Sequence, residues 1–262
     1  MEDIFEKIIE MKKKGTPSAL AIVIRTEGSV PRKPGAKMVV TRDGNIFGTL
    51  GGGDLENRII KEAIKAIEEG KPKTASFTLD MEKGGLDMMC GGTVEVFIEP
   101  LLPPEKLIIF GAGHITRSLA PMMKKIGFHV IIVDDTPQFL QKEYFPDIED
   151  IFLEDMPAFA ERLSSEQNTY VVVLSRGFSR DKAILGKLLK KDFRYVGMIG
   201  SKRKMENVIR GLKEEGIPGE AFLKLKSPVG LDIGAETPEE IAISIAGEII
   251  AVKKGKLVFC NQ

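Results

Sequence analysis

Residues 107–116 read LIIFGAGHIT, an apolar run that enters Gly111-Ala112-Gly113 and continues into residues suited to a helix. A strand, a glycine turn and a helix start, in that order, are the context in which a dinucleotide is bound. Gly111 permits the tight turn, and Gly113 lets the backbone approach a pyrophosphate. The helix start, with His114 at its first position, offers free N–H groups and a partial positive charge. A second apolar run, IIVDD, puts Asp134 about twenty residues after the glycines, where a carboxylate can bond a ribose hydroxyl. Thr116 takes the third glycine position and tightens the helix–strand contact. These residues predict a Rossmann fold. A filled crevice and a vacant or repurposed one both fit them, because fold does not fix function.

Three further segments carry chemistry. In LGGGDLEN (50–57), Gly51, Gly52 and Gly53 precede a helix whose first turn holds Asp54 and Glu56. Their N–H groups could form an anion nest; on chemistry alone, an ordinary turn with Asp54 as N-cap is the stronger reading. In MMCGG (88–92), Cys90 stands before Gly91 and Gly92 on a loop ahead of a strand. A thiolate there could bind a soft metal or sulfur, whereas a free cysteine more often packs as a small apolar residue. No second cysteine lies at metal-ligand spacing, so a structural zinc site is not expected. GMIGSKRK (197–204) ends a strand at Gly200-Ser201 and opens a helix with cations, which the helix dipole disfavours. An anion bound by Ser201, Lys202 and Arg203 would offset that; a solvated basic face is the alternative.

The elements that must hold these residues fall into two groups. Up to about residue 103 the pattern is α+β: a helix over 3–13, a strand over 19–25, a hairpin around Asp43-Gly44, a helix after the triple glycine, and strands near 74–79 and 93–99. Pro100, Pro103 and Pro104 mark the boundary. Beyond it strands and helices alternate, as in a doubly wound parallel sheet. Strands are expected at 107–110, 129–133, 170–174 and 195–199. Helices are expected at 114–126, with a bend at Pro121, and at 181–190 and 202–215. A last helix opens with a capping box, Thr237-Pro238-Glu239-Glu240. The division is therefore 1–103, an α+β domain, and 104–262, a Rossmann-like domain.

The 262 residues are 43% hydrophobic and 29% charged, which fits a globular protein and excludes bulk disorder. Lys and Arg (38) balance Asp and Glu (38), which argues against nucleic acid or an anionic membrane as partner. No apolar run approaches the roughly 18–20 residues of a membrane span, and MEDIFEKIIEMKKKG lacks a signal peptide's apolar centre. Cys90 and Cys260 cannot build a disulfide framework, so a cytoplasmic location is expected. Glycine is over-used, 27 of 262, and its clusters mark sharp turns or close approaches of backbone.

Taken in order and spacing, GSVPRKPGAKMVVTRDGNIFGTLGGGDLE (28–56), CGGTVEVFIEPL (90–101), FGAGHI (110–115), VDDTPQF (133–139), YVGMIGSKRK (195–204) and SPVGLDIGAETPEEIAISIAGEI (227–249) resemble the xanthine dehydrogenase accessory factor family of the XdhC/CoxI type. The resemblance implies a small N-terminal domain joined to a Rossmann domain. It implies a factor that binds molybdenum cofactor, as molybdopterin or its dinucleotide form. Such a factor assists sulfuration by a cysteine desulfurase and delivers the cofactor to an apo molybdenum hydroxylase. The implied cofactor-binding residues are Gly51, Gly52, Gly53, Asp54, Cys90, Gly91, Gly92, Gly111, Gly113, His114, Asp134, Ser201, Lys202 and Arg203, with Cys90 as the metal contact. A homodimer is expected, and no turnover of substrate. The chain departs from the family pattern at Asp54, where many relatives have a small residue or Cys, and at Phe178, where a histidine is common. The alternatives are an NAD(P)-dependent oxidoreductase and a nucleotide-sensing module, both using the same glycine turn.

Overall fold

In the computed structural model, which describes residues 3–79, 91–165 and 168–257, the chain divides into two compact units, Met1–Pro103 and Pro104–Gln262.

In the first unit, β1 (Ser18–Glu27), β2 (Lys37–Thr41), β3 (Ile46–Gly48), β4 (Lys73–Thr78) and β5 (Thr93–Leu101) form an antiparallel sheet in the order β3-β2-β1-β5-β4. Alternation along the strands sorts two apolar faces. Ala19, Ala21, Val23, Met38 and Val40 pack with Leu55, Ile59, Ala63 and Ile67 of helix α2 (Gly53–Glu69). Leu20 and Val39, pointing the other way, pack with Met11 of α1 (Ile4–Lys14). Both helices stop at a glycine in the left-handed region, Gly15 and Gly70, as the sequence suggests.

In the second unit six parallel strands, β6 (Lys106–Phe110), β7 (His129–Asp134), β8 (Asp150–Leu153), β9 (Thr169–Val173), β10 (Tyr195–Met198) and β11 (Leu225–Lys226), lie in the order β8-β7-β6-β9-β10-β11. Counted within the unit this is the 3-2-1-4-5-6 order of dinucleotide-binding sheets. One face carries α3 (His114–Lys125) and α7 (Pro238–Lys253), through Leu119, Met123, Ile245 and Ile249 against Leu107, Ile109 and Val172. The other carries α4 (Met156–Arg162), α5 (Phe178–Leu188) and α6 (Lys202–Glu214), through Phe159, Ile184, Leu188 and Leu212 against Ile108, Phe110 and Val173. Burial on both faces explains why β6, β7, β9 and β10 read as apolar runs.

Helix α3 continues through Pro121. Helix α5 starts at Phe178, earlier than expected, because Gly177 at φ +109 serves as its N-cap. Strand β8 and helix α4 had no clear sequence signal: one is four residues long, the other seven. The expected capping box on α7 is present, with Glu240 N–H donating to Thr237 Oγ1 (3.2 Å) and Thr237 N–H to Glu240 Oε2 (3.0 Å). Among the described residues no helix is long and apolar enough to cross a membrane.

Candidate functional site

The chain leaves β6 toward β7 on one side and later returns to β9 on the other, so the sheet's switch point lies beyond the C-terminal end of β6. Ligands of open α/β sheets bind in such a crevice. Gly111 sits there at φ +107, and a Cβ on it would lie 2.7 Å from the Leu174 carbonyl oxygen, so the fold itself requires glycine. The buried Thr116 hydroxyl donates to the Gly111 carbonyl and ties the turn to α3. Gly113, the N-cap of α3, differs: its φ of −74° suits any residue, and a Cβ there would meet nothing within 4 Å. Among the described residues no side chain caps this helix start, and His114 is exposed at its first position. The protein's own packing does not use the space that Gly113 leaves.

Asp134 is 3% exposed, and its carboxylate holds the loop: Oδ2 accepts the Ala112 N–H (2.7 Å) and Oδ1 the Thr136 N–H (2.9 Å). The acid at the surface is the next one, Asp135, paired with Arg180 of α5 at 3.0 Å. Arg176, from the β9–α5 connection, lies with its guanidinium 3.6 Å from the centre of the Phe139 ring. Arg117 of α3 lies 3.4 Å over Tyr144. The run at 201–204 splits in its roles. Ser201 caps α6, its Oγ accepting the Lys204 N–H (3.3 Å), and Lys202 and Arg203 are exposed. Lys204 turns inward to the fully buried Asp181, which also accepts a hydrogen bond from Ser175. The structure thus gathers Gly111, Gly113, His114, Asp134 and Ser201 at one end of the sheet. Sequence reasoning missed Arg176 and Arg180, although SRGFSRD displays two arginines around a glycine ahead of a helix.

In the first unit the segment 28–31 lies against both glycine clusters. A Cβ on Gly51 would strike the Pro31 ring at 2.4 Å, and one on Gly92 would strike the Ser29 carbonyl at 2.4 Å. Gly92 therefore serves close packing within the chain, while a Cβ on Gly52, Gly53 or Gly91 would meet no atom of the described residues within 4 Å. The nest at residues 50–52 exists, and the anion in it is internal. Glu56 Oε1 accepts the N–H groups of Leu50 (2.8 Å), Gly51 (3.1 Å) and Gly52 (2.9 Å), together with the Thr49 hydroxyl. Burial pushes the Glu56 carboxyl up, but Thr49 and the backbone donors outweigh it, leaving the acid below its ordinary value. Asp54, expected as N-cap, is the second residue of α2 and pairs with Arg58 at 3.5 Å; Gly52 is the N-cap. The helix begins two residues earlier than an Asp54 cap would place it, so Asp54 falls inside its first turn and Glu56, four residues after the N-cap, reaches back to the turn instead. Cys90 lies outside the described residues; among those described, no group of three His, Cys, Asp or Glu side chains could hold a metal ion.

Comparison with known proteins bears on both units. The model of the XdhC and CoxI family matches residues 11–78, and that of the XdhC Rossmann domain matches residues 107–249. The uncharacterized protein YqeB of Escherichia coli (strain K12) is 34% identical over 255 residues, covering 96% of this chain and 46% of its own length. The chain thus spans about half the length of this curated relative. The molybdenum cofactor insertion chaperone PaoD of the same strain is 20% identical over 274 residues, with 94% of this chain and 86% of PaoD covered. A crystal structure described as a xanthine dehydrogenase from Bacillus halodurans superposes with a TM-score of 0.54 at 26% identity, covering 98% of this chain and 97% of that one. With one family model spanning more than half its length and a second matching the other unit, the chain belongs to the XdhC and CoxI family.

Proposed function

We propose that this chain is a maturation factor that binds molybdenum cofactor and passes it to an apo molybdenum hydroxylase of the xanthine dehydrogenase type. The cofactor is cargo here, and its sulfuration belongs to a cysteine desulfurase working with this factor. The observation that carries the reading is the space at Gly113. A family member keeps an open position and a helix start without a side-chain cap at its sheet's switch point, where its own packing needs neither. That combination suits a phosphate or pyrophosphate, which both forms of the cofactor carry. The relative PaoD, described as a molybdenum cofactor insertion chaperone, supports the same assignment. The exposed Lys202, Arg203 and His114 add cationic and hydrogen-bonding groups at that end of the sheet.

In the first unit, Gly52, Gly53 and Gly91 are the positions whose open space suits close approach of a ligand. Cys90 remains the proposed contact for molybdenum or for the sulfur being installed, since thiolate is a soft ligand. The factor is expected to act as a homodimer, the commonest symmetric assembly.

The test is retention. Purified protein is incubated with molybdopterin, molybdopterin cytosine dinucleotide, NADH and NADPH, desalted, and the bound species identified by mass spectrometry. Retention of a molybdopterin form supports the reading. Retention of NADH or NADPH alone moves the assignment to an oxidoreductase or a nucleotide-sensing module.

A further inference from the structure

Strands β7 and β9 flank β6, so a contact between the residues after β7 and those after β9 bridges the C-terminal end of β6, where the Gly111–Gly113 loop begins. Among the described residues two such contacts are seen. Arg180 of α5 pairs with Asp135, and Arg176 stacks on Phe139. Both arginines come from the segment that follows β9, and both partners from the segment that follows β7. Neither contact is deep: the Arg180 and Asp135 side chains are 38% and 25% exposed, and Arg176 is exposed. An ion pair so placed is weak and readily exchanged. Below it, Asp134 is occupied by backbone N–H groups, so Asp135 is the acid that faces these guanidiniums at the rim.

We propose that Arg176 and Arg180 are the cationic ligands for a pyrophosphate group in this crevice, held until it arrives by Phe139 and Asp135. The proposal rests on the reading that the crevice binds a phosphate-bearing ligand, and it names the residues that would set its affinity. Guanidinium is planar and presents paired donors that match a phosphate better than a single exposed carboxylate does. An entering pyrophosphate, with more charge than one carboxylate, takes Arg180 from Asp135 and Arg176 from the Phe139 face. The two cross-contacts open as the anion binds. Asp135 is thus a competitor of the ligand, and this sets it apart from an acid that helps to bind.

The test is calorimetric titration of the full chain with inorganic pyrophosphate at low ionic strength. That probe has no ribose, so loss of a ribose contact cannot mask the effect. Arg176→Gln and Arg180→Gln should each weaken binding about ten- to a hundredfold. Arg180→Lys, which keeps charge and loses the fork, should fall between. Asp135→Asn should tighten binding several-fold. Thermal melts confirm that each variant is folded, and Gly113→Val reports on the crevice itself. If Gly113→Val abolishes pyrophosphate binding while the arginine variants bind as wild type does, the crevice reading stands and this inference falls. Asp135→Asn weakening binding would also overturn it, because the acid would then be positioning Arg180. If the wild-type chain binds no pyrophosphate, both fall together.

Discussion

Gly111 and Gly113 stand two residues apart in one motif, yet the structure assigns them different reasons for being glycine, and alanine at each should separate these reasons. Gly111 is at φ +107, where a residue with a side chain is held at a cost of about 1–3 kcal/mol. Its added Cβ would also lie 2.7 Å from the Leu174 carbonyl oxygen, a backbone atom that must move. Overpacking of this kind adds about 1–3 kcal/mol. Gly111→Ala should therefore destabilise the second unit by about 2–6 kcal/mol. At about 2–4 °C per kcal/mol, its melting transition should fall by roughly 4–24 °C. At Gly113, by contrast, φ is −74° and the added Cβ meets nothing within 4 Å. The cost of Gly113→Ala is that of exchanging glycine for a poorer N-cap, about 0.5–1 kcal/mol, and its transition should fall by only a few degrees. Differential scanning calorimetry of the intact chain reads both. Titration with pyrophosphate then supplies the second axis: Gly113→Ala, and more so Gly113→Val, should lose affinity with the fold intact. The reasoning is refuted if Gly111→Ala melts within about 2 °C of wild type, or if Gly113→Ala falls as far as Gly111→Ala.

Three further outcomes are expected. Glu56→Gln weakens the acceptor of three backbone N–H groups and should lower the stability of the first unit by about 1–3 kcal/mol, read by urea denaturation at pH 7. Because the Glu56 carboxyl is held below its ordinary value in the folded state, that stabilisation is present above the unfolded value, near 4.5, and is lost as pH falls through the folded one; Glu56→Gln should flatten this acid limb. Thr237→Ala breaks the capping box on α7 and should cost about 0.5–2 kcal/mol, with calorimetry showing the loss in the second unit's transition. Cys90→Ser should reduce retention of molybdopterin and activation of the apo-enzyme while thermal stability stays close to wild type, and a Cys260 replacement should change neither; a Cys90 variant that retains and delivers normally makes that residue one of packing.

What the sequence disclosed, and what it withheld, follows from the range of the interactions involved. The β6–α3 turn was legible because a strand, two glycines and a helix start are neighbours in the chain, and their roles are set by local backbone geometry. Strand β1 was legible as an apolar run, but its sorting of Ala19, Ala21 and Val23 from Leu20 and Ile22 onto two faces was not, because residues 19–24 are all apolar. The motives for Gly51 and Gly92 were not legible either. Each answers a segment distant in sequence, Pro31 in one case and the Ser29 carbonyl in the other, and no periodicity reports such a meeting. Strand β8 is no shorter than β10, but it is half-exposed and begins at Asp150, so it lacks the buried apolar run that marked β10, and helix α4 spans only seven residues.

The deeper asymmetry is between donors and acceptors. Glycine-rich turns announce free backbone N–H groups, so both turns could be read as sources of donors, although at residues 51–53 an ordinary N-capped turn was the stronger reading. Which acid answers them depends on how a side chain folds back, and that is decided by tertiary structure. In the first unit Glu56, one turn into α2, closes on Leu50, Gly51 and Gly52, a position that Asp54 seemed by sequence to command. In the second, Asp134 reaches back from β7 to the single N–H of Ala112, and no side chain caps the start of α3 beyond it. Two turns with the same kind of composition are thereby made chemically unlike. The first has an internal anion at its centre, and a ligand phosphate would have to compete with Glu56 for those donors. The second is braced by one acid, with open space at Gly113 and, at the same end of the sheet, two arginines held by Asp135 and Phe139. That difference, carried by three carboxylates and two guanidiniums rather than by the glycines, is why we propose phosphate recognition for the second unit.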